Sequence, residues 1–582
     1  MRYFVVIILL GTKAWLIAQQ EPYLENQTYT YEQAIAEYQN LAQKFPKYSS
    51  FQNFGSSDYG LPISLFLINK TGKFTPRELQ NKAVFLINNA IHPGEPEGVD
   101  ASIKLVKELL LDTSKIPNDV ILAIIPLYNI GGANNRNCCS RTNQNGPEEY
   151  GFRGNAKNLD LNRDFIKADS KNTLAFYAIF QFLKPVLFVD THTSNGADYQ
   201  YVMTLITSQV DKMNPVLKEY VEEIVNPELY KRMEKQGFPM IPYVNTIKEI
   251  PDDGIVDYLE TPRYSTGYTN LFNCISFVAE THMLKPFDQR VEATYELLKI
   301  MLNFAQENHV KLLEKKKLAN ENLLATKEFP LNWKLDTSKF EMLSFLGYEA
   351  VYKPSDVTGH TRLYYDRNKP YKKSIKYFNH YKAVDFVSRP DYYIIPQAWD
   401  IVVEKMTKSN IKVFRLAIDT TLEVEQYAVT SFETVKGPYE GHYLHYNIEV
   451  EKRTAMIGYR AGDYIIPTNN ENVRFIIETL EPHAADSYLA WNYFDAVLQQ
   501  KEWFSAYVFE DEAMSVLNAN PTLKKEFEEK RKSDPEFSAN AFAQLYFIYK
   551  GSNHYEPTHN KYPVTRYNQQ LKSELLLEII AR

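Results

Sequence analysis

The chain has 582 residues, a formal net charge of −7 and a hydrophobic fraction of 44%. A chain of this length and composition can bury large cores and is expected to form more than one domain. The acidic balance and the lack of a basic stripe give no electrostatic basis for nucleic-acid binding, so no nucleic-acid partner is expected.

The N-terminal stretch MRYFVVIILLGTKAWLIAQQ has one early arginine followed by an apolar run from Tyr3 to Leu10. A bilayer span takes about 20 apolar residues, so this run is too short to cross a membrane. It fits a secretory signal peptide, residues 1–18, with cleavage after Ala18. We therefore expect export to the periplasm or the extracellular space and a mature chain without a membrane span.

The three cysteines are Cys138, Cys139 and Cys274. Their odd number excludes complete pairing within the chain, and there is no Cys-x-x-Cys metal pattern. Because Cys138 and Cys139 are adjacent, they are not expected to bridge each other. Pairing of one of them with Cys274 and a set of buried free thiols both remain open.

From residue 62 to residue 282, strand and helix patterns alternate along the chain. The apolar runs LPISLFLI, KAVFLIN, DVILAIIPLYN, PVLFVDTHT and CISFVAETH predict buried strands. Patterns such as GVDASIKLVKELLLD and KNTLAFYAIFQFLK predict helices between several of them. The alternation predicts an α/β/α sandwich around a mixed or largely parallel sheet. In such folds ligands bind beyond the carboxyl ends of the strands.

The second half of the chain has a different texture. A long helix is predicted from Asp288 to about Thr326, and short aromatic strands such as RLYYDR, YYIIP and IKVFRLAID follow from about Phe329. Helical patterns return from Ala484, in ADSYLAWNYFDAVLQQKEW and NPTLKKEFEEKRK. The predicted division is a signal peptide at 1–18, an α/β domain at 25–310, a helical connector at 311–328, and a β-rich then helical region of unassigned role at 329–582.

The stretch NNAIHPGEPEGVD places His92 and Glu95 three apart on a Pro-Gly turn directly after a predicted strand. A catalytic zinc site needs three protein ligands and one open position, and this turn can direct a nitrogen and a carboxylate to one ion. Glu97 is the competing carboxylate, but its longer spacing favours Glu95. His192, two residues after another predicted strand, is the candidate third ligand, although a lone histidine at a strand end is more often structural.

Other polar residues follow later strands and loops. In NLDLNRDF, Asn162 and Arg163 are adjacent, and a guanidinium matches a carboxylate bidentately. As an alternative, the pair is a solvated part of a surface loop. Arg153 and Arg141 lie upstream, and Glu280 ends the strand pattern CISFVAETH. A carboxylate leaving a buried strand is costly unless it is paired or used.

In this order, His-x-x-Glu, Asp-x-Asn-Arg, a histidine after a strand and a glutamate after a later strand resemble the carboxypeptidase A-like zinc metallocarboxypeptidase family. The likeness covers about residues 60–300, and the whole chain resembles large exported bacterial members of the Bacteroidetes type. It implies that residues 25–310 are a zinc carboxypeptidase catalytic domain. It further implies a secreted carboxypeptidase with one Zn²⁺ per chain, acting on peptides with a free C-terminal carboxylate.

The resemblance implies a role for each matching residue around the metal. His92, Glu95 and His192 would ligate zinc. Asp160 would accept a hydrogen bond from the His92 ring and set its tautomer. Glu280 would be the general base that takes a proton from the water and returns it to the leaving amine.

It also implies residues that bind the substrate. Asn162 and Arg163 would hold the C-terminal carboxylate, and Arg153 would stabilise the oxyanion, with Arg141 as the alternative. A tyrosine that covers the substrate is assigned to Tyr264. The alternatives for it are Tyr258 and Tyr268. The pocket for the last side chain is expected near Ser265, where Arg263 would favour acidic side chains unless it is solvated.

Two other functions use the same residues. A murein-peptide amidase or an acyl-amino-acid deacylase would keep the metal site and change the bond that is cut. The Asn162–Arg163 pair fits any substrate with a free carboxylate and does not separate these enzymes from a carboxypeptidase. A non-catalytic protein that binds glycan or protein through its aromatic C-terminal half is the third alternative, but it would not need His92, Glu95, His192 and Glu280 together.

Overall fold

The computed structural model describes residues 21–578, so the predicted signal peptide, residues 1–18, lies outside the described residues. Among the helices of residues 21–578, none is long and apolar enough to cross a membrane.

The first part of the chain builds one mixed sheet. Its strands in chain order are β1 (Ser49–Ser56), β2 (Pro62–Ile68), β3 (Ala83–Asn88), β4 (Val120–Ile125), β5 (Leu187–Ser194), β6 (Met203–Thr207), β7 (Met240–Pro242) and, after the short β8 (Ile255–Val256) that lies outside this sheet, β9 (Ile275–His282). In space the order is β1-β2-β4-β3-β5-β9-β6-β7. The central strands β4, β3, β5 and β9 are parallel. The predicted α/β fold with a mixed sheet is confirmed.

Helices cover this sheet. They are α1 (Tyr31–Lys44), α2 (Pro76–Asn81), α3 (Glu97–Leu111), α4 (Ile130–Asn134), α5 (Lys171–Leu183), α6 (Pro215–Tyr220), α7 (Asn226–Lys235), α8 (Ser265–Asn270) and α9 (Phe287–Ala325). Every residue of β3, β4 and β5 is buried, which requires cover on both faces. Helix α9 packs on α3 and against β3 and β4, whereas α5 lies against β1 and β2.

All five strands that the apolar runs predict are present, and so is the long helix, as α9. The sequence did not predict β1, β6 or β7. Strand β1 is partly exposed along its length, and β7 has only three residues. Their apolar patterns are therefore too weak or too short to stand out from a loop.

The sheet register brings the predicted site residues together. Because β3, β5 and β9 are parallel neighbours, the segments that leave their carboxyl ends emerge at one edge of the sheet. His192 and Glu280 are direct register partners across β5 and β9. The turn with His92 and Glu95 follows β3 on the other side of β5.

Helix α3 approaches β5 closely at Gly98, directly after this turn. A Cβ added at Gly98 would lie 1.9 Å from Thr191 Oγ1 and 2.5 Å from Asn89 Oδ1. Gly98→Ala is therefore expected to destabilise the protein by about 1–3 kcal/mol through overpacking, visible as a lower melting temperature. Gly458→Ala is the matched control, because its nearest neighbour would be Thr421 Oγ1 at 3.9 Å. Equal melting temperatures for the two variants would contradict the expected close packing.

The second part of the chain contributes more strands and helices. The strands are β10 (Glu328–Leu335), β11 (Glu341–Pro354), β12 (Thr361–Phe378), β13 (Tyr381–Ser388), β14 (Tyr392–Ile395), β15 (Phe414–Leu416), β16 (Thr420–Thr434), β17 (His445–Tyr459), β18 (Tyr464–Pro467), β19 (Lys561–Tyr567) and β20 (Leu576–Glu578). The helices are α10 (Asp400–Lys408), α11 (Val473–Leu480), α12 (Ala506–Ala519), α13 (Pro521–Ser533), α14 (Pro535–Ser538) and α15 (Ala541–Lys550). The prediction of a β-rich and then helical region is confirmed.

Two local predictions for this part are wrong. Strands β11, β12, β16 and β17 are not short, because they form two long antiparallel ribbons with 14, 18, 15 and 15 residues. The run ADSYLAWNYFDAVLQQKEW is not helical, since residues 484–503 form turns and a short 3-10 segment. Tyr488, Trp491 and Phe494 of this run are fully buried in the core, although the backbone around them forms turns. Tertiary packing has overridden a helical pattern there.

The predicted domain boundaries are not visible as a gap in packing. Helix α9 crosses residue 310 without interruption, and one continuous hydrophobic core contains residues from both halves, such as Phe188 and Phe475. Strand β8 also pairs with the end of β12. The division at 310 and 328 stays a prediction.

The expectation that Cys138 and Cys139 do not bridge each other is wrong. Cys138 and Cys139 form a disulfide with each other, and Cys274 is a buried free thiol. Cys274 directly precedes β9 inside the core, whereas Cys138 and Cys139 lie on a surface loop. Because Cys138 and Cys139 are bonded to each other, neither is paired with Cys274.

Candidate active site

His92, Glu95 and His192 form a compact group at the edge of the sheet. One ligand atom from each lies within 4.8 Å of the others, and all three residues are buried. His92 Nδ1 and His192 Nδ1 are 3.2 Å apart, and Glu95 Oε2 lies 3.3 Å from the first and 3.0 Å from the second. Two ring nitrogens and a carboxylate oxygen converging on one point are the donor set of a three-ligand zinc site.

Each histidine turns its other ring nitrogen towards an aspartate. His92 Nε2 lies 2.9 Å from Asp160 Oδ1, the contact that the family resemblance implied. His192 Nε2 lies 3.0 Å from Asp190 Oδ2, although it is not aligned for a hydrogen bond. Carboxylates in these positions orient histidine ligands and raise their basicity.

Asp190 is a site residue that sequence reasoning missed. It is fully buried in β5, two residues before His192, and its Oδ2 accepts a hydrogen bond from Ser265 Oγ at 2.6 Å. The only signal was its place in the motif Asp-x-His. Residues two apart on a strand share a face, so a carboxylate there lies beside the following histidine.

Charge compensation keeps the buried carboxylates ionised. Burial alone would raise the pKa of Glu95, but the Arg141 guanidinium and the two histidines lower it well below its ordinary value. Arg141 Nη1 donates to Glu95 Oε1 at 2.8 Å. Burial likewise opposes ionisation of Asp160, but His92 and nearby arginines hold its pKa well below the usual range.

The competing carboxylate Glu97 points away from this group. Its Oε1 lies 3.1 Å from Arg290 Nε, and its Oε2 accepts a hydrogen bond from Thr193 Oγ1 at 2.7 Å. Arg290 is fully buried, so this ion pair is structural. The placement agrees with the choice of Glu95 over Glu97.

Glu280 lines the same cavity as His92, Glu95 and His192. It is a register partner of His192 on the neighbouring strand. Burial raises the pKa of its carboxyl to about 8 despite the positive charges of His192, Arg153 and Arg141. A carboxylate with a raised pKa in a cavity suits proton transfer near neutral pH.

The two candidate arginines have different surroundings. Arg141 is largely engaged, because Nε donates to Gln144, Nη1 to Glu95 and Nη2 to the Thr193 carbonyl. Arg153 is 44% exposed and contacts Asp160 through Nε and Nη2. Among the described residues its Nη1 has only an ion pair at 3.6 Å, with Glu95. Both arginines line the cavity.

Asn162 and Arg163 form a short 3-10 turn after Asp160. Asp160 Oδ1 accepts a hydrogen bond from the backbone N–H of Asn162 at 2.8 Å, which fixes the start of the turn. The Asn162 side chain accepts a hydrogen bond from Ser265 N at 3.0 Å. The Arg163 guanidinium lies 4.4 Å from the ring centre of Tyr264, and Asn162, Arg163 and Tyr264 all line the cavity.

The three candidate tyrosines are separated by burial. Tyr264 and Tyr258 line the cavity and contact each other edge to face at 5.4 Å. Tyr268 is fully buried and stacks on Tyr177 at 4.7 Å, so it belongs to the core. Tyr268 is therefore excluded from direct contact with a substrate.

The cavity has a volume of about 600 Å³. Apart from the histidines, glutamates and arginines already named, the residues that line it are uncharged. The neutral lining residues include Ile206, Tyr243, Thr266 and Val278. Arg263 does not reach it, because its Nε donates to Asp486 at 2.7 Å and its guanidinium lies over Trp491. The expectation that Arg263 favours acidic side chains is therefore wrong, since this cation is already paired.

Comparisons with known proteins point to one family. The zinc carboxypeptidase family model matches residues 34–180. The chain is 21% identical over 429 residues to "Carboxypeptidase 2" of Trichophyton equinum, covering 70% of this chain and 73% of that protein. "Carboxypeptidase 2" of Trichophyton rubrum matches to the same extent.

Among solved structures, a metallo-carboxypeptidase from Burkholderia cenocepacia aligns at 19% identity with a TM-score of 0.36, covering 47% of this chain and 69% of that chain. The segment that the family model matches carries His92, Glu95 and the Asp160–Arg163 turn. The ordered motifs of the sequence resemble the same family. Residues 34–180 therefore match the zinc carboxypeptidase family of peptidases, and the two sequence relatives, which each cover 70% of the chain, are carboxypeptidases.

Proposed function

We propose that the protein is an exported zinc-dependent carboxypeptidase that hydrolyses the C-terminal peptide bond of peptides with a free C-terminal carboxylate. The observation that carries this proposal is the convergence of His92, Glu95 and His192 in the wall of a cavity that Arg163 also lines. A metal site and a fixed cation in one cavity suit a substrate whose scissile bond lies beside a carboxylate. Export rests on the predicted signal peptide, residues 1–18.

The residues fit one zinc ion per chain. His92, Glu95 and His192 would hold it, and the Asp160 and Asp190 carboxylates beside the outer ring nitrogens would orient the two imidazoles. A bound zinc ion polarises a carbonyl and lowers the pKa of its water towards about 7. Three protein ligands leave the open position that this chemistry needs.

Glu280 would carry the proton. Its carboxylate accepts the proton of the attacking water and then donates it to the nitrogen of the leaving amino acid, so the peptide C–N bond breaks without a free amide anion. We assign the oxyanion to Arg153, whose Nη1 is the least engaged guanidinium nitrogen of the two candidate arginines. Removing one such donor in other enzymes costs about 2.7–4 kcal/mol. We assign Arg141 the role of holding Glu95 in place and keeping it ionised.

Asn162 and Arg163 would bind the terminal carboxylate, and Tyr264 would cover it from the Arg163 side. A guanidinium and an amide offer several donors to the two carboxylate oxygens. The neutral wall of the cavity would receive a neutral last side chain. A murein-peptide amidase or an acyl-amino-acid deacylase would also use this carboxylate site, so these two activities remain the second candidate function.

The proposal is tested by measuring zinc content together with release of the last residue from a small peptide library. Each peptide is offered with a free and with an amidated C-terminus. One equivalent of zinc and cleavage of the free-carboxylate peptides alone would support the proposal. Zinc binding without cleavage of any peptide of the library, combined with cleavage of murein peptides or acyl-amino acids, would replace it by the second candidate.

Arg163→Gln is expected to raise KM for free-carboxylate peptides by about 10- to 100-fold. The reason is that a hydrogen bond to a charged group contributes about 1.5–3 kcal/mol. Steady-state kinetics on one peptide from the library measures this change. Arg362→Gln, on an exposed ribbon strand, is the control and should keep the wild-type KM. An unchanged KM in Arg163→Gln would remove the carboxylate role from this arginine.

A further inference from the structure

The ribbon of β16 and β17 ends in a tight turn made by Tyr439, Glu440, Gly441 and His442. Tyr439 N donates to His442 O at 2.7 Å, and His442 N donates to Tyr439 O at 3.0 Å. The φ angles are 50° at Glu440 and 84° at Gly441. A two-residue hairpin turn with both central residues at positive φ strongly prefers Asn-Gly or Asp-Gly.

Glutamate is an unfavourable residue at the first of these positions. The left-handed conformation brings Cβ close to the backbone and costs free energy for residues without a local compensating hydrogen bond. Most of the described non-glycine residues with positive φ are asparagines; Asn26, Asn158, Asn273, Asn410, Asn447, Asn492 and Asn560 have this conformation. Glu440 departs from this pattern, so its side chain needs a separate explanation.

The Glu440 side chain reaches the proposed substrate site. Its Oε2 accepts a hydrogen bond from Asp160 N at 2.7 Å, across 280 residues of sequence. The Asp160 side chain in turn holds His92 Nε2 at 2.9 Å and the Asn162 amide at 2.8 Å. One carboxylate from the C-terminal half therefore fixes the backbone at the residue that links the metal group to the Asn162–Arg163 turn.

The same half of the chain also contacts residues 167–169, at the other end of the loop that begins at Asp160. His442 Nε2 lies 2.7 Å from Asp169 Oδ2. Lys405 Nζ donates to the carbonyls of Lys167 and Ala168 at 2.8 and 2.9 Å. The loop is thus tied at both ends, but of these contacts only that of Glu440 lies next to groups of the candidate site.

We propose that Glu440 is a positioning residue for the C-terminal carboxylate of the substrate, acting through Asp160 and the Asn162–Arg163 turn. This inference rests on the proposed carboxypeptidase function. The C-terminal half then has a defined role. The strained turn at the tip of its β16–β17 ribbon fixes the position of the Asn162–Arg163 turn relative to His92, Glu95 and His192.

The decisive variant is Glu440→Asn. Asparagine suits the positive φ of the turn but is too short to reach Asp160 N, so the turn is kept and the contact is lost. We expect a melting temperature no lower than that of the wild type and a KM for free-carboxylate peptides about tenfold higher, with kcat changed by less than about threefold. Glu423→Asn, on the exposed face of β16, is the matched control and should keep both constants.

A second readout does not depend on activity. Amide hydrogen exchange of the peptide that contains Asp160 is expected to be faster in Glu440→Asn than in the wild type, because the Asp160 N–H loses its acceptor. Glu440→Gln keeps an acceptor oxygen at the same reach. It is therefore expected to restore slow exchange at Asp160 and a KM within about twofold of the wild type, which a general loss of folding would not do.

Unchanged exchange at Asp160 and an unchanged KM in Glu440→Asn would overturn the inference. A Glu440→Gln variant as impaired as Glu440→Asn would also overturn it, since the role would then depend on charge and not on position. Failure of the wild type to cleave free-carboxylate peptides would count against the proposed function itself, whereas the exchange measurement would still report on the Glu440 contact.

Discussion

Glu280→Gln is expected to lower kcat by about 100- to 10,000-fold, the range that general acid–base catalysis contributes. Glutamine has nearly the same shape as glutamate but cannot take a proton from water. Because Glu280 is absent from the group of three metal-ligand candidates, the variant should still bind one zinc ion per chain. Single-turnover or steady-state kinetics, together with metal analysis, measures both quantities.

The size of this effect separates a proton carrier from a merely polar lining residue. Glu423→Gln changes an exposed glutamate of β16 in the same way and should behave as the wild type. A Glu280→Gln enzyme that keeps more than about a tenth of the wild-type kcat would assign the proton transfer to another group. A variant that loses its zinc would instead show that Glu280 takes part in metal binding.

His192→Ala is expected to weaken zinc binding by more than about 100-fold and to abolish activity. Loss of an outer partner of a metal ligand alone costs about 10- to 100-fold, and removal of one of three ligands costs more. The buried Glu95 would also lose a partner that now lies 3.0 Å away. Competition with a metal-binding dye measures the affinity, and added zinc should not restore the wild-type rate.

Asp190→Asn tests the carboxylate that lies beside the outer nitrogen of His192. Asparagine has nearly the same shape as aspartate but carries no charge, so zinc affinity is expected to fall by about 10- to 100-fold, between the wild type and His192→Ala. His360→Ala, near the tip of the β11–β12 ribbon, is the control histidine and should bind zinc as the wild type does. An affinity of Asp190→Asn equal to that of the wild type would exclude a role for Asp190 in orienting His192.

Much of the first half of the molecule was predictable from short-range pattern. The runs KAVFLIN, PVLFVDTHT and CISFVAETH are buried strands because almost all of their side chains avoid water, and the structure places them at β3, β5 and β9. The polar residues that interrupt or follow these runs were recognisable as site candidates for the same reason. An imidazole or a carboxylate at the end of a buried strand is costly without a partner.

Other features depended on contacts that no local pattern encodes. The run ADSYLAWNYFDAVLQQKEW has helical spacing, yet in the folded protein it forms turns and a short 3-10 segment around the buried Trp491. The disulfide between Cys138 and Cys139 depends on the conformation of a surface loop. The ion pair of Arg263 depends on Asp486, which is 223 residues away in the sequence. Composition and spacing contain no information about such partners.

The amino-acid sequence by itself determined the α/β sheet, the resemblance to the zinc carboxypeptidase family and the residue types that gather at the strand ends, because strand burial and motif order are local properties of the chain. Only the tertiary structure decided which carboxylate faces each histidine, which tyrosines border the cavity and what the C-terminal half contacts. The Glu440–Asp160 hydrogen bond joins residues 280 positions apart. Contacts of this kind form only after folding has brought two distant segments together, so they are set by packing and not by local propensity.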